Sequence, residues 1–314
     1  AGLVVTAYFI VSSARVRSPK LSLGCVGFIG LGNMGKPIAR RLLANLGALT
    51  VWNRSTERCT SLGAAGAIVA PSVEFVFASC DTVLLMLSGD GATRQVLDAL
   101  SAGLRTRLIV SLSSISPSLA REAAALCAAH GVAFACVTVT GRPDKAAAGH
   151  LLAWVSAASK CTCQLIDEQL CPAFSSNSEI ISTRDAAGAA TFKLLTNYVI
   201  YGSVQVIAEA TLLAEKCGHD RGSIARFLEV FAPSTFISSY AERVRDMPQS
   251  SASGASLDIG LNDVRLIREL DASMKLPVLD ATLSCLASAF DRVGDEASGR
   301  VEWATSICKE VERR

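Results

Sequence analysis

The stretch "GAATFKLLTNYVIYGS", residues 188–203, carries Lys193 and Asn197 four positions apart among apolar residues. At helical periodicity that spacing puts both side chains on one face. A lysine in such company has chemistry open to it. Desolvation and a neighbouring cation lower its pKa toward neutral pH, so it can take a proton from a hydroxyl or return one to a carbonyl oxygen. Most helical lysines simply reach water, so the pair acquires a role only where other elements bring a substrate to it.

The clearest second motif is "CVGFIGLGNMGKPIARRLL", in which Gly30, Gly32 and Gly35 form G-x-G-x-x-G directly after an apolar run. The first glycine permits a tight turn, the second lets backbone approach a pyrophosphate, and the third lets helix and strand pack closely. Asn33 and Met34 lie within the same loop, and Met34, Ile38, Leu42 and Leu46 then repeat every four residues, as a helix packed on a sheet requires. The phosphates would sit at the positive N-terminus of that helix. The next strand ends in "VWNRST": Asn53, Arg54 and Ser55 stand where an NAD-preferring site usually places an acid for the ribose 2′-OH. A carboxylate would repel a 2′-phosphate, whereas Arg54 can pair with one bidentately and Arg58 lies one turn further. This pattern predicts NADP(H) over NAD(H).

In "VTVTGRPDKAAAGHL", residues 137–151, a strand gives way to a helix: Thr140 and Gly141 make the turn, Pro143 suits the first helical position and Asp144 the first turn. Together with Arg142, a hydroxyl and free backbone N–H groups there would cradle a carboxylate. "LLMLSGDG" (84–91) and "SLSSISP" (111–117) supply Leu87, Ser88 and Ser114 at strand C-terminal ends, where an open sheet binds its ligand.

These residues need a scaffold, and the pattern names one. Short β-branched or apolar runs at 25–29, 49–53, 67–70, 82–87, 108–112, 133–139 and 153–156 alternate with Ala- and Leu-rich stretches, which predicts a doubly wound parallel α/β sheet. After about residue 184 the strands stop. A proline-free stretch from Asp185 to Cys217 predicts one helix of roughly 50 Å at about 1.5 Å per residue, and further helices follow, punctuated by Pro233, Pro248 and Pro277. The expected organisation is an N-terminal extension (1–22), a Rossmann domain (23–184) and an all-α domain (185–314) entered through the Lys193 helix, with the site between them.

As an ordered set, these motifs, together with "VWNRS", "SLSSISPSLAREAA" (111–124) and "FKLLTNYVI" (192–200), resemble the β-hydroxyacid dehydrogenases related to 3-hydroxyisobutyrate dehydrogenase, with echoes of their imine-reductase-like relatives. The likeness runs from about Cys25 to the end. It implies a 6-phosphogluconate dehydrogenase-like architecture, Lys193 as the catalytic acid/base with Asn197 as its partner, and Thr140 and Gly141 as the first two positions of a Ser-Gly-Gly carboxylate loop. Arg142 replaces the last glycine of that loop. Cys136 stands where the family often has Asp, Ala187 and Ala189 replace glycines before the lysine, and Asn262 replaces a lysine before Asp263 and is read only as pocket-lining. The implied reaction is hydride transfer between NADP and a short β-hydroxy acid or its semialdehyde. Arg142 keeps open reduction of imines or other carbonyls, and an inactive cofactor-binding scaffold is a further alternative. The resemblance also implies a homodimer or higher homo-oligomer through the helical part.

Composition narrows the partners. Of 314 residues, 50% are hydrophobic and 18% charged, enough for a sizeable core. A formal net charge of +2 without a basic block gives no basis for nucleic acid or a membrane as partner, and leaves a small molecule. Eleven scattered cysteines read as buried free thiols; Cys161, Cys163 and Cys171 lack a zinc spacing and only three histidines could assist them, so no metal is expected. The first twenty residues, an apolar run followed by Arg15, Arg17 and Lys20, fit neither a signal peptide nor a membrane span and are compatible with an organelle presequence remnant. The expected compartment is the cytoplasm or the mitochondrion.

Overall fold

The computed structural model describes residues 22–101, 103–231, 235–247, 256–294 and 298–313. The presequence reading, which concerns the first twenty residues, lies outside them. Within them, β-branched runs become strands β1 (Val26–Ile29), β2 (Thr50–Trp52), β3 (Ile68–Val69), β4 (Thr82–Leu85), β5 (Leu108–Ser111), β6 (Ala133–Thr140), β7 (Leu151–Ala157) and β8 (Ser175–Ser182). They form one sheet in the order β3-β2-β1-β4-β5-β6-β7-β8. Strand order reverses between β1 and β4, and the crevice at such a switch point is where open sheets bind ligands.

Neighbouring residues of each strand point to opposite faces. Phe28, Leu84 and Val110 enter one apolar layer, with Ile38 and Leu42 of α1 (Gly35–Leu46). Ile29, Val83 and Ile109 enter the other, with Val76 and Phe77 of α2 (Val73–Ser79) and Leu119 and Ala123 of α3 (Pro117–Ala129). Of the four-residue repeat read for α1, Ile38 and Leu42 are fully buried, whereas Leu46 at the helix end turns outward.

Two expectations need correction. The sheet is not wholly parallel: β6 and β7 pair antiparallel, Thr140 opposite Leu152. Only residues 141–150 join them, and a parallel return needs a crossover of a dozen residues or more. That link holds the short helix α4 (Pro143–Ala148) and ends on Gly149 at φ 77°. The strand β8 has the sequence SSNSEIIS and is mostly not buried. An edge strand of this kind carries no apolar run, so hydrophobic pattern does not reveal it.

Beyond β8 the described regular structure is helical. Helix α5 (Gly188–Lys216) spans 29 residues, or roughly 44 Å. Against it pack α6 (Ser223–Phe231), α7 (Thr235–Asp246), α8 (Leu257–Leu270), α9 (Pro277–Val293) and α10 (Trp303–Arg313). Leu194, Val204, Leu261, Val264, Leu286 and Ile307 belong to their shared apolar cluster.

Helix α5 begins three residues later than its proline-free stretch, and its start is tied to the sheet. The buried Ser156 hydroxyl on β7 donates to Ala186 O at 2.6 Å and accepts from Ala189 N at 2.8 Å. Thr138 Oγ1 on β6 donates to Ala189 O at 3.0 Å. Ala187 and Ala189 are fully buried, so their methyls fill space here. A Cβ on Gly188 between them would lie 2.7 Å from Ser182 Cβ, so that position must stay glycine. Ser156→Ala leaves a helix N–H and a carbonyl without their buried partner and is expected to cost about 1–3 kcal/mol, measured as a lower urea midpoint with unchanged slope.

Candidate active site

The predicted site residues gather along the C-terminal edge of the sheet and on the first turns of α5. After β1 the chain turns at Gly30, whose φ is 100° and where a Cβ would stand 2.2 Å from Met86 O. A Cβ on Gly35 would stand 2.0 Å from Gly30 O, so these two glycines are in mutual contact. Around Gly32 nothing lies within 4 Å of a Cβ position, which leaves backbone open to a ligand. Met34 gives α1 no side-chain cap, and the first turn contains no acid. Lys36 N already donates to Gly32 O and Pro37 has no N–H, which leaves Gly35 N of the first turn open to a phosphate oxygen, with Asn33 exposed beside it. The residues present fit a dinucleotide.

Asn53 has a structural duty: its Oδ1 accepts from Leu31 N at 2.7 Å and its Nδ2 donates to Ser55 O at 3.0 Å. It thereby locks the glycine loop to the end of β2. Arg54 and Arg58 are exposed, and among the described residues neither has an ion pair. Arg58 lines a cavity of about 410 Å³ together with Gly32, Asn33, Lys36 and Pro143. Two cations and the glycine loop thus face one space, a setting for negative charge.

Leu87 N donates to Ser113 Oγ at 2.7 Å, and Ser113 Oγ donates to Leu85 O. Ser116 N donates to Asp90 Oδ1 at 2.8 Å. These bonds brace the loops after β4 and β5 against each other. Ser88 is exposed and Ser114 half-buried; the neighbouring Ser113, which sequence reasoning passed over, is the one that ties the loops together.

At the end of β6, Gly141 has φ 142°, and a Cβ there would meet Leu151 Cδ2 at 2.6 Å. Pro143 takes the first helical position as expected, with Arg142 as the cap residue. The Arg142 guanidinium binds Asp144 through two bonds of 3.2 Å each, an exposed pair that holds the Asp144 carboxyl below its ordinary range.

Lys193 Nζ crosses to this loop and donates to Thr140 Oγ1 at 2.7 Å. Burial lowers its pKa to about 8, against the opposing pull of the Asp263 charge. Asn197 is 5% exposed and gives its Nδ2 to Asp263 Oδ2 at 2.8 Å. Tyr201 OH donates to the same oxygen at 3.1 Å. Burial in turn pushes Asp263 up to about 6, with Lys193 acting the other way.

Sequence reasoning missed Asp263 and Tyr201. The available signal was an acid within the apolar stripe of α8, where Leu257, Leu261, Val264 and Ile267 are buried around it. Asn262 beside it is exposed, and its Nδ2 lies 4.0 Å from a Cβ position on Gly89. It faces the β4 loop, consistent with its pocket-lining reading. Among the described residues no group of histidines, cysteines and acids could hold a metal. Cys163 and Cys171 are buried free thiols and Cys161 is exposed.

The assembled geometry offers a glycine-loop cradle at the end of β1 and, at the end of β6, a titratable ammonium that a substrate oxygen could share with a threonine hydroxyl. Residues 25–170 match the NAD binding domain of 6-phosphogluconate dehydrogenase. An uncharacterized oxidoreductase of Bacillus subtilis is 28% identical over 90% of this chain and 98% of its own length. One of Mycobacterium tuberculosis (strain H37Rv) is 31% identical, over 70% of this chain and 73% of that protein. A probable 3-hydroxyisobutyrate dehydrogenase of the same organism is 30% identical over 62% and 65%. Among solved structures, Psf3 in complex with NADP+ and 2-OPP superposes with a TM-score of 0.76 at 25% identity, covering 92% of this chain and 99% of Psf3. The chain therefore belongs to the β-hydroxyacid dehydrogenase family, NAD(P)-binding oxidoreductases that act on CH–OH groups.

Proposed function

We propose that the chain interconverts a short β-hydroxy acid and its semialdehyde with NADP(H), using Lys193 as acid and base. The observation that carries this reading is the Lys193 ammonium, 2.7 Å from Thr140 Oγ1 at the C-terminal end of β6, with its pKa lowered to about 8. The nicotinamide cofactor, when bound, accepts or supplies the hydride. Thr140, Gly141 and Arg142 hold the substrate carboxylate. Neutral Lys193 takes the hydroxyl proton in oxidation, and the ammonium returns it to the carbonyl oxygen in reduction. Asn197 holds the reacting oxygen or the ammonium in line. Preference for NADP(H) follows from Arg58, which lines the cavity beside the glycine loop, and from Arg54, exposed just after β2, with no acid in the 2′-OH position; the NADP+ bound by Psf3 is in keeping with it.

A second copy of the chain is the proposed macromolecular partner. Leu195, Val199, Val206 and Leu213 recur at four- and seven-residue spacing on α5 and are 49%, 65%, 57% and 63% exposed. Such an apolar stripe on a monomer marks an association surface. Charging it with Val199→Glu and Val206→Glu should shift sedimentation to the monomer; an unchanged oligomer would place the interface elsewhere.

The sign of the pH dependence follows from the two protonation states. Oxidation of 3-hydroxy acids requires neutral Lys193 and should rise as pH passes about 8, whereas semialdehyde reduction requires the ammonium and should fall over the same range. Lys193→Met should retain NADPH binding, followed by nicotinamide fluorescence, and lose on the order of 10²–10⁴ in kcat. A variant as active as the parent would remove Lys193 from the chemistry.

Arg54→Ala should cut the kcat/KM ratio for NADPH over NADH by roughly tenfold or more, the worth of one lost charge-assisted contact. Full retention of the NADPH preference would refute the Arg54 assignment.

A further inference from the structure

Asp263 lies behind Asn197 and makes no hydrogen bond to Lys193. It is 4% exposed, and two donors from α5, the Asn197 amide and the Tyr201 phenol, meet on its Oδ2. An ionised carboxylate has no proton to give. The Asn197 atom facing it must therefore be the nitrogen, so the choice between amide oxygen and nitrogen, ordinarily a matter of assignment, is settled here by chemistry. Asn197 Oδ1 is left on the opposite branch of the amide, with no hydrogen-bond partner among the described residues.

We propose that Asp263 is the positioning residue of the site: by holding the Asn197 nitrogen it presents the Asn197 carbonyl to the reaction, making Asn197 an acceptor for the substrate hydroxyl or the Lys193 ammonium. An asparagine free to flip would also present its NH2, which repels the proton to be moved. The same carboxylate supplies the negative charge nearest to Lys193, favouring its ammonium form. The titratable groups around Asp263 are Lys193 and Tyr201 of α5; beyond Tyr201 lie Tyr240 of α7 and Glu302 before α10, the latter paired with Arg243 at 2.7 Å. Tyr201 is driven well above its ordinary range by burial and by Asp263, which leaves it a neutral donor. Lys193 is then the one group near Asp263 that changes charge between about pH 7 and 9.

This inference rests on the reading of Lys193 as acid and base, and a double-mutant cycle separates the two. Asp263→Asn can hold the Asn197 amide in either orientation. Semialdehyde reduction should fall roughly tenfold or more in kcat, as displaced catalytic groups do, while the Kd for NADPH stays within about twofold. Because Asp263 acts through Asn197, adding Asp263→Asn to Asn197→Ala should lower kcat by no more than about twofold beyond Asn197→Ala alone. In both backgrounds the limb of the kcat profile near pH 8 should move to lower pH, since a negative charge beside Lys193 has gone. A merely structural Asp263 would give additive losses, which overturns the proposal, and so does an unmoved limb, which would mean that Asp263 supplies no charge to Lys193. Should Asp263→Asn fail to bind NADPH, Asp263→Glu, which keeps the charge and displaces it by one methylene, takes its place. Its kcat must then fall with the limb in place, and parent-like turnover sinks the idea. Lys193→Met as active as the parent sinks the acid–base reading itself.

Discussion

A desolvated ammonium has to be held where it is needed, and in this protein the task falls to the seam between the sheet and helix α5. Lys193 lies in the second turn of that helix, and the helix start is tied by two hydroxyls, Ser156 and Thr138, to adjacent antiparallel strands. Ser156 Oγ takes the Ala189 N–H, one of the donors that a helix start leaves unpaired, and both hydroxyls donate to carbonyls there. Gly188 lets the first turn lie against Ser182. With that seam in place, the lysine reaches Thr140 on the same strand that carries Thr138. A displaced seam would return the ammonium to water and its pKa to the ordinary lysine range.

The crevice is built from contacts that permit little adjustment. Gly30 and Gly35 touch, Asn53 binds both the glycine loop and its own turn, and Ser113 joins the loops after β4 and β5. Backbone there is fixed by backbone and by short polar side chains with few rotamers. The long cations nearby are less confined: Arg54 and Arg58 are exposed and Arg142 is half-buried. Rigid framework and adjustable cations thus occupy separate positions. Electrostatics then divides the two carboxylates near the substrate loop. Asp144 is solvated and held low by Arg142, whereas Asp263 is dry and raised to about 6, so only the second responds to the charge on Lys193.

Much of this was legible in the residues. The alternation of apolar runs and helical stretches predicted seven of the strands, and the glycine spacing predicted the tight turn between β1 and α1 where Gly30 and Gly35 meet. Lys193 and Thr140 were read from separate motifs and prove to be in contact. What stayed hidden depends on packing between distant segments. The strand β8 is polar because it lies at an edge, and the antiparallel return of β7 depends on link length rather than on any residue type. Asp263 lies 66 residues from Asn197 in sequence, and its place in the apolar stripe of α8 does not tell which residue it will meet. Asn53, read as the absence of an acid, turned out to be a brace whose bonds go to backbone.

The hairpin formed by β6, α4 and β7 has a bearing on how new specificities arise. The whole excursion between the two strands is residues 141–150, and both of its hinges are glycines with positive φ. Its flanking strands are held in register by their own ladder from Ala135 to Ala157. The loop between them is therefore a self-contained cassette. Its residues can be exchanged, or its length altered, without shifting the strand that carries Thr140 or the seam that aims the lysine. Duplicated genes can diversify there first, keeping the Lys193–Thr140 contact while varying the residues around it.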